Sequence, residues 1–177
     1  MAESKRIYRI SSLDLNEINR IFSQLGDRLD EIEGFRGEGI SGGHFTLLPF
    51  FYDSKDGTWE FLANANCWSG FVYRNSSDAN GDYLKFKCFL AKGRYTLKLL
   101  ATKANSSGII SIDIDGKRAA YFDLYNDTAL YNQIFTNADN EIEKPGIKAV
   151  IIRVDGKNAD SSGYAAYLQA LAFYRTE

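Results

Sequence analysis

The sequence predicts a mainly β protein, an antiparallel, jelly-roll-like β-sandwich preceded by a short N-terminal coiled-coil helix. From His44 onward apolar and polar residues alternate, and turn signals recur at intervals of roughly ten residues. Aromatic residues make up 14% of the chain, and nearly all of them are Phe and Tyr, which favour half-buried strands. Because no helical pattern interrupts this series, we expect the strands to pair antiparallel in two layers.

The chain is long enough for one β domain with its own core and a small appendage. Five glycines between residues 34 and 43 predict a flexible joint between the two. We divide the 177 residues into an N-terminal anchoring segment (1–11), a coiled-coil oligomerisation helix (12–34), a Gly-rich joint (35–43) and a β-sandwich head domain (44–177).

A heptad pattern marks the predicted helix. Ser11 or Ser12 can cap its first turn, and Gly34 can end it. The a and d positions hold Leu15, Ile18, Phe22, Leu25, Leu29 and Ile32. Leu at a with Ile at d favours more than two strands, so we predict a homotrimer. Three heptads are the shortest run that indicates a coiled coil, and the alternative is an amphipathic helix packed on its own β domain.

Turn signals divide the β region into strands. Lys92-Gly93 lies between two alternating segments and predicts a hairpin. Asp115-Gly116 and Asp155-Gly156 each follow an alternating segment, and the Asp-Gly pair suits a tight hairpin turn. The last predicted strand, Tyr164 to Tyr174, is apolar on both faces, which is typical of a strand between two layers or at a subunit contact.

The charge and the apolar pattern exclude several classes of partner. A net charge of −2 provides no field that would attract a phosphate backbone, so we predict no nucleic acid partner. The apolar runs are short and interrupted by charges, which predicts no membrane insertion. The first residues lead into polar sequence instead of an apolar signal core, so we expect synthesis in a cytoplasm. Cys67 and Cys88 are too few for a disulfide framework, and whether they pair stays open.

The sequence has little from which to build a catalytic site. His44 is the only histidine, which excludes Ser/His/Asp and Cys/His sets. One His and two Cys without paired spacing predict no transition-metal site. Glu60, Asp113 and Asp115 are carboxylate candidates for glycoside hydrolysis, but their alternating or turn positions indicate solvated faces. We therefore predict no enzyme activity, no bound metal and no cofactor.

Calcium is the one metal that the loops leave open. Asp113, Asp115, Asp155 and Asp160 lie near loops that jelly rolls sometimes use for ions with oxygen ligands. The spacing of an EF-hand is missing, and hairpin turns explain Asp115 and Asp155 without an ion. We therefore leave these aspartates out of the predicted site.

Aromatic side chains are the better candidates for a binding site, because a flat ring with polar neighbours can hold a sugar. The candidate glycan contacts are Trp59, Trp68, Tyr73, Tyr125 and Tyr131. The three tyrosines lie in or beside polar, loop-like stretches, where a ligand groove can form. For each tryptophan the alternative is packing in the core, and for the tyrosines it is a subunit interface.

Two stretches of the β region resemble a β-sandwich module of tailed-bacteriophage virion proteins. They are residues 81–100 with 112–116 and 122–125, and residues 154–164 with the terminal 173–175. The resemblance covers about Trp59 to Arg175. Such jelly rolls are also similar to carbohydrate-binding modules, although no sugar-binding residue of those modules matches a position in this sequence.

The predicted helix, with its end at 28–34, is similar to the trimerising helices that precede head domains in phage fibre and decoration proteins. The resemblance implies a trimeric, non-enzymatic protein of the virion surface, made in the host cytoplasm and attached by its N-terminal part to capsid or tail proteins. Lys5, Arg6 and Arg9 are the candidate docking residues.

We therefore predict a phage virion structural protein, a trimeric capsid decoration or head-fibre protein that displays its β-sandwich on the particle surface. A helix of about 20 residues at 1.5 Å each gives a stalk of about 30 Å, which favours the head over a long tail fibre. The first alternative is a tail-associated receptor-binding protein that recognises a host-surface glycan. The second is a stand-alone carbohydrate-binding module.

Overall fold

The computed structural model describes residues 44–176, which all lie in one compact unit, Ser41–Glu177. Within this range the chain forms strands and loops, and no helix is long and apolar enough to cross a membrane. The strands are β1 (His44–Leu47), β2 (Ser54–Asp56), β3 (Trp59–Ala63), β4 (Phe71–Asn75), β5 (Tyr83–Leu90), β6 (Gly93–Lys103), β7 (Gly108–Ile114), β8 (Lys117–Asp123), β9 (Leu130–Ile142), β10 (Gly146–Lys157) and β11 (Tyr167–Arg175).

The strands form two sheets. The first sheet has the order β3-β4-β11-β6-β9, and β1 pairs with the part of β11 that β4 leaves uncovered. The second sheet has the order β2-β5-β10-β7-β8. Every pairing between these strands is antiparallel. The predicted mainly β, antiparallel sandwich is therefore confirmed for the described residues.

The core lies between the two sheets because alternate residues of each strand point inward. Along β6, Leu97 and Leu99 are fully buried, and along β5, Leu84 and Phe86 face them from the second sheet. Burying a large apolar side chain contributes about 1.5–3 kcal/mol. The sandwich is held together mainly by this layer.

The last strand, predicted over Tyr164 to Tyr174, is β11 (Tyr167–Arg175), and it lies in the interior of the first sheet. β11 has β6 on one side and both β4 and β1 on the other. Leu171 and Phe173 of β11 are fully buried in the core. A strand with neighbours on both sides and a core beneath it explains the near-continuous apolar sequence.

Of the three predicted hairpins, one is confirmed. The turn at Asp115-Gly116 joins β7 to β8, and both residues have positive φ angles, 50° and 80°. This is the backbone that a two-residue turn needs to match the twist of its strands, and it explains the Asp-Gly pair.

The hairpin predicted at Lys92-Gly93 is wrong. β5 belongs to the second sheet and β6 to the first, so the short link between them crosses from one layer to the other. The hairpin predicted at Asp155-Gly156 is also wrong, because β10 continues to Lys157. The register with β7 shifts between Val154 and Lys157, and Gly156, with a φ of 96°, lies in this irregularity. Asp-Gly serves a bulge here and not a turn.

The coiled-coil helix, its heptad residues, the anchoring segment and the Gly-rich joint lie outside the described residues. The homotrimer, the docking role of Lys5, Arg6 and Arg9, and the boundaries of these segments stay predictions. The oligomerisation residues that fall in this range are Leu15, Ile18, Phe22, Leu25, Leu29 and Ile32.

Candidate functional site

The connection from β3 to β4 forms a closed loop, residues 64–70, which we call the Trp68 loop. The amide of Asn64 donates to the carbonyl of Gly70 (2.9 Å), and the amide of Cys67 donates back to the carbonyl of Asn64 (3.1 Å). The side chain of Asn64 also accepts a hydrogen bond from the amide of Asn66 (3.0 Å). Gly70 completes the loop with a φ of 75°, a conformation that glycine adopts without strain. The backbone of the loop is therefore held by its own hydrogen bonds.

The Trp68 loop lies against the outer face of the first sheet, the face turned away from the core. Cys67 is only 5% exposed, and its Sγ lies 3.9 Å from Oγ1 of Thr102, an outward-facing residue of β6. Burial raises the pKa of the Cys67 thiol, which keeps the side chain neutral in this position. Cys67 and Cys88 are both free thiols, so the two cysteines do not pair.

Asn132 of β9, the strand at the opposite edge of the sheet, binds the loop by hydrogen bonds. Its Oδ1 accepts from the amide of Trp68 (2.9 Å) and from Nε2 of Gln169 (3.3 Å), and its Nδ2 donates to the carbonyl of Asn66 (2.9 Å). Asn132 has a φ of 54°, and the register between β6 and β9 shifts at this point. Asn tolerates the left-handed conformation better than most residues, so a bulge can present its amide to the loop.

Gln169 and Ser69 complete the contact between the loop and the sheet. Gln169 lies at the bulge of β11 and is almost fully buried. Ser69 Oγ donates to the carbonyl of Phe71 (2.6 Å) and lies 3.4 Å from Oε1 of Gln169. The buried Gln169 side chain therefore has partners, as buried polar groups must have to avoid a large desolvation cost.

Trp68 is 71% exposed although the loop that carries it is fixed to the sheet on both sides. Packing does not explain this exposed ring, because the contacts that hold the loop are made by its backbone and by Cys67 and Ser69. An indole on a fixed backbone loses little conformational entropy when a ligand covers it. The arrangement provides a flat apolar platform with amide and hydroxyl groups next to it.

Two of the five candidate glycan contacts are core residues. Trp59 is 4% exposed, its ring stacks against Tyr73 with centroids 6.1 Å apart, and its Nε1 donates to the carbonyl of Asp56 (2.9 Å). Tyr73 is 5% exposed. Neither ring offers a face to a ligand, so the core alternative applies to Trp59, and the prediction of Tyr73 as a surface contact is wrong. Both follow from strand alternation, which points these residues inward.

Tyr125 and Tyr131 lie apart from the core, at the link from β8 to β9 and in β9 itself. The hydroxyl of Tyr125 donates to Oδ1 of Asp127, and this bond raises the pKa of Tyr125 to about 12. The amide of Tyr125 donates to Asp123 Oδ1 (2.8 Å), and Asn158 Nδ2 donates to Asp123 Oδ2 (2.7 Å). The polar groups around Tyr125 therefore bind one another. Tyr131 lies in β9, directly before Asn132, which contacts the Trp68 loop.

Among the described residues, three of the four aspartates considered for calcium are held by basic side chains, and Asp160 is the exception. Arg118 binds both Asp113 (2.9 Å) and Asp155 (2.7 Å), and Lys148 binds Asp115 (2.9 Å). The bond from the amide of Ala149 and the Lys148 ammonium hold the pKa of Asp115 below its usual value. Within residues 44–176, no group of three His, Cys, Asp or Glu side chains is placed to hold a metal ion.

A concave region apart from the Trp68 loop lies between the β7–β8 turn and the end of β9, with a volume of about 700 Å³. Acidic, basic and amide side chains line much of it, and no aromatic ring is among the lining residues. Ligand sites combine apolar or aromatic walls with a few polar groups. Its apolar lining is limited to Ile114, Ala119, Ala138 and Ile142, with no flat ring to cover a sugar, so the Trp68 loop is the stronger candidate.

The comparison with solved structures identifies the fold. No protein-family model matches this chain, and no curated protein does. Solved structures do match. A Paenibacillus xanthan lyase matches with a TM-score of 0.62 and 23% identity, over 72% of this chain. This chain spans only 13% of the length of the lyase chain.

Two further matches extend over nearly the whole length of the other chain. A CBM36 domain of a multidomain xylanase from the hindgut metagenome of Trinervitermes trinervoides has a TM-score of 0.51 and 14% identity, over 74% of this chain and 96% of the other. The C-terminal CBM6 of LamC, a marine laminarinase from Zobellia galactanivorans, has a TM-score of 0.53 and 12% identity, over 75% and 100%. The described residues have the fold of carbohydrate-binding modules. At these identities the likeness establishes the fold alone.

The sequence singled out Trp68 but not the residues that position it. Asn132 and Gln169 lie 64 and 101 residues further along the chain, so spacing gave no sign of their contact with the loop. The one local signal was the polar run Asn64-Ala65-Asn66 beside a cysteine and a tryptophan. It indicated a structured turn, but not which face of which sheet the turn covers.

Proposed function

We propose that this chain is a non-enzymatic carbohydrate-binding protein and that the Trp68 loop is its binding platform. The observation that carries the proposal is the exposed ring of Trp68 on a loop whose backbone is fixed by Asn132 and Cys67. An aromatic face can cover the apolar C–H face of a sugar, while neighbouring amides bind its hydroxyl groups. The shared fold with two carbohydrate-binding modules over their whole length supports this choice among functions.

Affinity gel electrophoresis of the full chain through a panel of polysaccharides tests the proposal. We expect at least one polysaccharide to retard the chain, and we expect Trp68→Ala to weaken that binding by about 2 kcal/mol, or about thirtyfold. Trp68→Tyr should keep much of the affinity because it keeps a flat ring. Phe89→Ala is the matched control, since Phe89 is an exposed ring on the second sheet. If the Trp68→Ala variant were retarded as much as the unchanged chain, Trp68 would not be part of the binding site.

Two of the side chains that a hydrolytic site would need are engaged elsewhere. His44 stacks against Tyr174, with ring centroids 5.6 Å apart, and Arg118 holds Asp113. Glu60 is exposed on the outer strand β3. These contacts support a protein that binds without cleaving, and we expect no release of reducing ends from any polysaccharide that it binds.

A place on a phage virion is a separate proposal, and it rests on the sequence resemblance. In that setting a glycan-binding head would recognise the host surface, as in the tail-associated receptor-binding alternative. The residues proposed for trimerisation and docking lie outside the described range, so a test of this proposal must use the full chain.

A further inference from the structure

The outer face that carries the Trp68 loop also presents basic side chains without acidic partners. On β4, the guanidinium carbon of Arg74 lies 5.7 Å from the ring centre of Tyr167, its cross-strand partner on β11. Further along the face, Nζ of Lys98 lies 4.7 Å from the ring centre of Tyr174. Arg74 and Lys98 form no ion pair with a described carboxylate. Each charge lies over an aromatic ring and has no ion-pair partner among the described residues.

Arg74 is the less satisfied of the two. Its Nε is buried and has no hydrogen-bond partner among the described residues. Glu60, its cross-strand neighbour on β3, is exposed and forms no ion pair with it. A guanidinium presents several donors in a planar fork that matches a carboxylate, and it cannot lose its charge by deprotonation. Because Nε is shielded from solvent, an anionic ligand would meet the terminal amino groups of this guanidinium.

The two cations lie in different directions from Thr102, the residue of β6 that the Trp68 loop contacts. Thr102, which contacts Cys67 of the loop, is in register with Tyr167, so Arg74 lies two strands away, or roughly 10 Å. Lys98 lies four residues from Thr102 along β6, which is roughly 13 Å. A ligand that contacts the loop and either cation must therefore be extended, as a polysaccharide chain is.

We propose that the ligand of the Trp68 loop is an acidic polysaccharide, whose carboxylate groups are bound by Arg74 and Lys98. This inference rests on the proposed carbohydrate-binding function and adds the charge of the ligand. Ring stacking on Trp68 is insensitive to charge, so the cations determine the preference for acidic over neutral chains. The whole chain has a net charge of −2, so its overall charge does not attract polyanions. A preference for acidic chains would therefore come from the cations of this face.

The test compares one polyuronate, polygalacturonate, with its carboxyl-reduced form, in which each carboxylate becomes an alcohol. Binding of the full chain is measured by calorimetry at low salt and again at high salt. We expect the carboxylated form to bind at least about tenfold more tightly at low salt, and we expect salt to reduce the difference by screening. Arg74→Gln and Lys98→Gln should each lower this ratio, because each removes a positive charge that attracts the carboxylated form more than the reduced one. Dextran sulfate separates a need for carboxylate from a response to any negative charge.

Arg153→Gln is the matched control for Arg74→Gln. Arg153 also lies over a tyrosine, 5.3 Å from the ring centre of Tyr83, but on the second sheet. It should leave the ratio unchanged. Equal binding of both polysaccharide forms, with a loss of both in Trp68→Ala, would overturn the acidic ligand and leave the binding function intact. Stronger binding of dextran sulfate than of polygalacturonate would overturn the carboxylate assignment. Binding of neither polygalacturonate form, in a chain that binds a neutral polysaccharide through Trp68, would overturn this proposal alone, and silence toward all polysaccharides would overturn both.

Discussion

The two tryptophans of this chain have opposite environments, and this difference explains their roles. Trp59 is buried against Tyr73 in the core, whereas Trp68 is exposed on a fixed loop. The same side chain stabilises the fold in the first position and, in the function we propose, provides a surface for a ligand in the second. Composition gave both rings the same weight, because only the pairing of β3 with β4 and the position of the loop separate them.

Substitution of each tryptophan should therefore affect stability very differently. We expect Trp59→Ala to lower the free energy of unfolding by about 3–5 kcal/mol, because it leaves a cavity in the core. Trp68→Ala should change it by no more than about 0.5 kcal/mol, as is usual for surface positions. Urea denaturation monitored by circular dichroism measures both. A large loss of stability in Trp68→Ala would mean that its ring supports the loop.

The buried thiols predict a loss of stability at alkaline pH. Desolvation first, and then the charges of Asp115 and Asp53, raise the pKa of Cys88 from 9.0 to about 11, and burial also raises the pKa of Cys67. The folded state therefore holds these protons more tightly than the unfolded state. Their contribution to stability is complete below about pH 9 and is lost as the pH rises toward 11.

The melting temperature between pH 8 and pH 10 measures this effect. We expect it to fall over this range, and we expect the fall to be smaller in Cys88→Ala, which removes the thiol with the larger shift. The range stops at pH 10 because burial also raises the pKa of Tyr73, from 10.0 to about 12. Tyr73 therefore affects the pH dependence of stability above pH 10. An identical slope in Cys88→Ala and the unchanged chain would contradict the assignment.

At the scale of the element, the Trp68 loop depends on a bulge in a distant strand. The amide of Trp68 donates to Asn132 Oδ1, so this bond controls both the position of the ring and the protection of that amide. We expect Asn132→Gly, which tolerates the positive φ, to speed hydrogen exchange at the Trp68 amide and to weaken polysaccharide binding.

Asp139→Gly is the control for the Asn132 variant. Asp139 also has a positive φ, 62°, and lies in the same strand, but near its other end. It should leave both the exchange rate at Trp68 and the binding unchanged. If both glycine variants weakened binding equally, the effect would come from the flexibility of β9 and not from the Asn132 side chain.

The strands were more predictable from the sequence than their partners were. Alternation along β6 showed which residues face the core, since this depends on the two-residue period of a strand. It did not show that β5 and β6 lie in different sheets, because a short turn fits a hairpin and a crossing between layers equally well. For the same reason the site was predicted only through its ring. Trp68 is visible in the sequence, whereas Asn132 reaches it through a fold that local patterns do not encode.

At the scale of the whole molecule, the sequence and the structure address different parts of the chain. The structure shows a β-sandwich in residues 44–176, for which we propose glycan binding, and the heptad predicts how many copies the full chain brings together. A trimer would present three Trp68 platforms at once and increase the avidity for a repeating polysaccharide. The two proposals are therefore independent in evidence but compatible in function.

Light scattering of the full chain tests the trimer. We expect a mass three times the 19.9 kDa of one chain, and we expect Phe22→Asp combined with Leu29→Asp to give a monomer, because it places charges at two a positions. Asn16→Asp combined with Ser23→Asp adds the same charge at b positions and should remain trimeric. A monomeric mass for the unchanged chain would contradict trimerisation through the heptad.

The measurement that tests the central claim most directly is acrylamide quenching of tryptophan fluorescence, with and without a saturating polysaccharide. The chain has two tryptophans, and only Trp68 is exposed, so the quenchable fluorescence of the free protein should come from that ring. We predict that the bound polysaccharide protects Trp68 from acrylamide, and that Trp68→Tyr removes the quenchable signal while much of the binding remains. Saturable binding that leaves the quenching of Trp68 unchanged would show that the glycan lies elsewhere and would contradict the account.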